Sequence, residues 1–202
     1  MDDQSFTSGT GIVRFTNHVE IPPGGTYKFE LENINDALKK DDLFQAWRGH
    51  IINNALFIEE KIDLLISKLL FRKELEGAGL FKSMVLSREF FSFMSKWRVL
   101  RDLLKTISPF KETYNPELLS DLRFIVNERD KFAHGQVMYS GNKGEKIFLE
   151  YFKETLQKEE ISEETIKAFI QKCSKCYVGL DKIIVEAQKR QNIKTSEDVK
   201  NE

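Results

Sequence analysis

Four prolines, two cysteines and three histidines in 202 residues remove several kinds of protein from consideration. So few prolines leave room for long uninterrupted helices. Two cysteines cannot build the disulfide framework of a small secreted domain, and a four-cysteine zinc site needs a second pair. They stand as Cys173 and Cys176 in a helical stretch, where small packing side chains are the expected role rather than a redox or metal pair. His18, His50 and His134 are dispersed and join no cluster of carboxylates, so no metal and no cofactor is expected. Also missing is any apolar run near the roughly 18 residues of a membrane span, since Lys68 breaks the richest stretch. The opening Met1-Asp2-Asp3-Gln4-Ser5 is acidic and unlike a secretory signal, so the expectation is a cytoplasmic protein away from membranes. An excess of one charge is lacking too. With 31 basic and 32 acidic residues the net charge is −1, which gives no overall basic footprint for nucleic acid.

What is present suits one soluble domain: 41% hydrophobic residues can fill a core, and 31% charged residues can cover helix surfaces. The fold class expected is mainly α, a helical bundle with a small β-hairpin and short N-terminal strands. Residues 1–40 read as a strand-containing extension, 41–193 as the helical domain and 194–202 as a disordered tail. In the extension, Ile12-Val13-Arg14-Phe15 and Thr26-Tyr27-Lys28-Phe29-Glu30-Leu31 have β-type composition around a turn at Pro22-Pro23-Gly24-Gly25. A long helix is predicted from about Asp42 to Arg72, with Phe44, Trp47, Ile51, Ala55, Ile58, Ile62, Leu65 and Leu69 at helical spacing. Glu76-Gly77-Ala78-Gly79 breaks the pattern, and a second helix follows from about Ser87 to Ile107. From Lys82 through Lys105 stand six basic residues and two acidic ones, the best local candidate for binding phosphate. A solvated helix face is the plainer explanation of that run.

Asn115-Pro116-Glu117 is a good helix start, with an N-cap, a proline at the first position and an early acid. The helix it opens runs to about Gly135. Beyond it, Gln136-Val137-Met138-Tyr139 and Lys146-Ile147-Phe148-Leu149-Glu150-Tyr151-Phe152 flank Gly141-Asn142-Lys143-Gly144, which reads as a hairpin packed against the N-terminal strands. Tyr139 and Lys143 would stand near the helix end, although ordinary hairpin residues explain both. A last helix starts at Ser162-Glu163-Glu164-Thr165 and continues to about Arg190.

The helix from Asn115 ends in Asn127-Glu128-Arg129-Asp130-Lys131-Phe132-Ala133-His134-Gly135. At about 100° per residue, Arg129 falls within the apolar face made by Leu118, Leu122, Ile125, Val126, Phe132 and Ala133. A helix built only to pack would carry leucine there. A guanidinium on that face needs an anion or an interface that uses it, with Glu59 of the long helix a candidate counter-ion. Asp130 and His134 are four apart, within hydrogen-bonding reach on one flank, so the carboxylate could hold one ring nitrogen and leave the other free. His50 and His18 have no acid or nucleophile at useful spacing and read as structural or surface residues.

An arginine, a polar residue, three more positions and then a histidine at the end of an amphipathic helix resembles the Rx4-6H motif of the HEPN superfamily. Arg129, Asp130 and His134 match its arginine, polar residue and histidine, and Gly135 suits the common pattern. Some members carry a modifiable tyrosine two positions after the histidine; here Gln136 stands there. The resemblance implies a small, often dimeric helical domain and a metal-independent ribonuclease of the toxin or antiphage type. It also leaves room for an antitoxin partner. On that reading the catalytic residues are Arg129, Asp130 and His134, acting on RNA through its own 2′-hydroxyl. The competing reading is a non-catalytic, dimeric helical binding or adaptor module, in which Arg129 forms a buried pair and His134 caps its helix.

Overall fold

The computed structural model describes residues 6–8, 11–13, 31–71, 76–88, 91–107, 115–140 and 146–198. Two short strands, β1 (Phe6–Ser8) and β2 (Gly11–Val13), pair antiparallel. The first helix, α1, spans Leu31–Leu70, a 40-residue rod of about 60 Å at 1.5 Å per residue. A shorter helix, α2 (Glu76–Phe81), widens into a single π-type turn at Lys82–Leu86. Then come α3 (Phe93–Thr106), α4 (Pro116–His134), the strands β3 (Gln136–Ser140), β4 (Lys146–Lys153) and β5 (Thr155–Ile161), and α5 (Glu163–Asp198). The fold is mainly helical with one three-stranded antiparallel sheet in the order β3-β4-β5.

The core forms because apolar stripes at helical spacing on α1, α3, α4 and α5 face one another. Phe44, Ile51, Ala55, Ile58, Ile62 and Leu65 of α1 meet Leu100 and Leu104, Leu122, Ile125 and Phe132, and Phe169, Leu180 and Ile184. Cys173 and Cys176 lie inside this core, where burial pushes both thiols up to about 12. They are packing residues. The Trp97 indole is anchored by donating Nε1–H to the Leu119 carbonyl at 3.0 Å, which ties α3 to α4. Three helix starts have side-chain caps: Ser92 Oγ accepts from Ser95 N for α3, Asn115 Oδ1 from Glu117 N and Leu118 N for α4, and Ser162 Oγ from Thr165 N for α5.

Several expected boundaries move. Ile12 and Val13 are in a strand as expected, paired with β1, and Leu31 already belongs to α1; Arg14, Phe15, His18, the Pro22–Gly25 turn and residues 26–30 lie outside the described residues. Helix α1 therefore starts some eleven residues before Asp42, because Leu31, Ile34 and Leu38 continue its apolar period through a polar stretch. Gly77 and Gly79, read as a break, sit within α2. The second long helix begins at Phe93, where Ser92 caps it, and not at Ser87. The tail expected from Lys194 is helical through Asp198. The hairpin after α4 gains a third strand, and the described strands form two sheets, β1-β2 and β3-β4-β5. Lys143 lies outside the described residues. No helix among the described residues is long and apolar enough to cross a membrane.

Candidate functional site

Asn115 and Pro116 fix where α4 begins, and Gly135 fixes where it ends. Gly135 is extended, at φ −75° and ψ 152°, so a left-handed turn is not what requires glycine. Close approach is. A Cβ there would lie 2.5 Å from the Lys131 carbonyl oxygen and 2.7 Å from Leu149 Cδ1. The chain leaves the helix and enters β3 one residue later, with Gly135 N–H donating to Lys131 O at 2.7 Å. His134 is thus the final helical residue, beside a packed joint between helix and sheet.

Arg129 holds the azimuth its spacing indicates, and its side chain is 31% exposed. Its Nη1 donates to Asp130 Oδ1 at 2.8 Å. Its Nε is buried with no hydrogen-bond partner. Glu59, the counter-ion expected from α1, instead accepts from Lys96 Nζ at 2.6 Å. The expected hydrogen bond from Asp130 to His134 is absent, and the carboxylate turns to the adjacent guanidinium. A permanently charged, planar donor next in the chain competes well against an imidazole at a water-exposed helix end. His134 is exposed and, among the described residues, has no hydrogen-bond or ionic partner. The structure therefore brings Arg129 and Asp130 into contact and leaves His134 beside them, unengaged.

Two neighbours were not found by reading the sequence. Arg48 of α1 reaches across 85 residues to donate Nη2–H to the Ala133 carbonyl at 2.7 Å, satisfying one of the carbonyls that a helix end leaves open. The stacking of Phe44 on Phe132, at 5.9 Å between centroids, sets α1 at this distance. A sequence signal existed: Arg48 follows Phe44 by four residues and so lies beside the apolar stripe. On the opposite flank, Lys131 bridges Glu128 at 2.7 Å and Glu159 of β5 at 2.9 Å above the Tyr151 ring. Burial opposes its charge, but the two carboxylates outweigh that and hold its pKa above the ordinary value. This bridge locks the last turn of α4 to the sheet.

The basic run from Lys82 to Lys105 is less available than its composition implies. Lys96 is buried between Glu59 and Asp63, and Arg101 pairs with Asp102 while lying over the Trp97 ring. His50 is exposed and contributes its backbone carbonyl to Asn54. Gln136 is an exposed β3 residue opposite Glu150. Among the described residues no three His, Cys, Asp or Glu side chains gather as a metal site would require.

Comparison with models of known protein families, with curated proteins and with solved structures finds no match to this chain. The chemistry open to the site follows from its own groups. A guanidinium with an unfilled donor can take an anionic oxygen, and a free imidazole can take or give a proton.

Proposed function

We propose that this chain is a metal-independent endoribonuclease of the HEPN type. The observation that carries the reading is the buried, partnerless Nε of Arg129 on the same helix end as the exposed and unengaged His134. A buried donor left unpaired costs free energy that an incoming phosphate oxygen would recover. RNA supplies its own nucleophile. The 2′-oxygen attacks the adjacent phosphorus, its proton passes to a base, and the bond to the 5′-oxygen breaks as that oxygen receives a proton. His134 is placed to exchange those protons, while the Arg129 fork supports charge on the phosphorane. Asp130 keeps the guanidinium oriented. The products are a 2′,3′-cyclic phosphate and a 5′-hydroxyl.

One imidazole serves two proton transfers poorly, so the working form in this proposal is a two-fold dimer whose second His134 completes the pair. A cytoplasmic toxin or antiphage effector is the setting that the motif resemblance suggests, with an antitoxin as a potential partner. The test is purified protein incubated with RNA in the presence of a chelator. Cleavage that disappears with chelator, or that persists at full rate in His134→Ala, removes the mechanism.

The ion pair between Arg129 and Asp130 favours a second reading, a non-catalytic dimeric binding module in which both residues are structural. On that reading Arg129→Ala and His134→Ala lower the melting temperature, and wild-type protein leaves RNA intact.

A further inference from the structure

We infer that Arg48 is a second phosphate-binding residue of this site, so that RNA is gripped by two guanidiniums from two different helices. The inference rests on the ribonuclease reading and adds a residue that the motif does not contain. Arg129 stands one turn before Ala133 in α4, and Arg48 of α1 reaches that last turn to bind the Ala133 carbonyl. Among the described residues Arg48 has that single hydrogen bond and no carboxylate partner. A guanidinium has five N–H donors, so capping one carbonyl leaves most of the fork open. One turn earlier, Arg129 has Asp130 as its single counter-charge among the described residues and keeps a buried Nε without a partner there.

Among the described residues Arg48 and Arg129 have one carboxylate partner in all, Asp130 on Arg129, which leaves positive charge unbalanced at the helix end that carries the exposed His134. A bridging phosphodiester balances it. One oxygen would meet the Arg129 donors and another the free edge of Arg48, placing the scissile group at the helix end. The Ala133 contact gives Arg48 a fixed position, which holds its fork ready for planar recognition.

The experiment measures binding of an uncleavable 2′-O-methyl RNA oligonucleotide by fluorescence anisotropy over a range of salt concentrations. The proteins are wild type, Arg129→Gln and Arg48→Gln, each variant losing the charge and keeping a polar side chain. Loss of one phosphate contact on a single strand lowers the slope of log affinity against log salt by about 0.7. That decrease is expected in both variants, with melting temperatures checked in parallel. A purely structural Arg48 would leave the slope at its wild-type value, and that result overturns the inference while the ribonuclease reading stands. Absence of RNA binding by wild type overturns both. If Arg48→Gln does not fold, phenylglyoxal labelling of wild type decides. Oligonucleotide should protect Arg48 in peptide mass spectra, and equal labelling with and without it rejects the inference.

Discussion

Two cations set into the helix bundle are handled in opposite ways. Lys96 of α3 is 4% exposed and lies within 3.0 Å of carboxylates from both Glu59 and Asp63. Arg129 of α4, less deeply placed, has one carboxylate from its chain neighbour and a buried nitrogen that nothing meets. The first arrangement places a positive charge between two negative ones and ties α3 to α1. Its own residual imbalance is one unpartnered oxygen of Asp63, whose carboxyl burial pushes above the ordinary value. The second arrangement leaves donors over, next to an open histidine. The contrast separates a cation fully enclosed by carboxylates from one that keeps an unpartnered donor among the described residues.

The largest effect on stability should come from Lys96→Ala. Removing it leaves the buried Asp63 and the half-buried Glu59 without their ion-pair partner, at a cost of about 3–5 kcal/mol in urea or thermal unfolding. A loss comparable with that of Arg129→Ala would erase the distinction drawn between the two cations. Next is Gly135→Ala, where the added methyl meets the Lys131 carbonyl and Leu149, which bear on the site's framework. Such overpacking costs about 1–3 kcal/mol and should also impair cleavage by shifting the joint beside His134. Arg129→Ala breaks only a part-exposed ion pair, so stability should change by less than about 1 kcal/mol, while RNA cleavage falls by about a hundredfold or more. His134→Ala should be nearly silent in a thermal melt, within about 0.5 kcal/mol, since its side chain is exposed and unengaged. Its effect on cleavage should be a loss of about a hundred- to ten-thousandfold. Unchanged cleavage in either of these last two variants would remove that residue from the proposed mechanism.

Where the chain repeats an apolar residue every three or four positions, its elements were legible. The faces of α1, α3, α4 and α5 follow from Phe44 to Leu65, Trp97 to Leu104, Leu118 to Phe132 and Ile166 to Ala187, while at the start of α3 the buried residue is Phe93 and not Phe91 or Met94. Capping chemistry placed the start of α4 within a residue, because Asn115 and Pro116 act locally. Strand β5 was missed because Thr155–Glu160 faces water on nearly every residue and offers no alternation of polar and apolar side chains to read. The helical glycines were missed because propensity is a weak prior, costing about 1 kcal/mol at each glycine, which tertiary packing offsets. At the site, helix position was readable and pairing was not. Spacing allows Asp130 to reach either Arg129 or His134, and side-chain competition decides between them. The approach of Arg48 depends on how α1 crosses α4, which no local pattern encodes.

Gly135 alone joins α4 to β3, and Lys131 pins the same turn to Glu159 of β5. The imidazole is therefore mounted on a hinge without slack, and its backbone cannot reorient independently of the sheet. Any tilt of the strands would carry the end of α4, and the histidine on it, along with them.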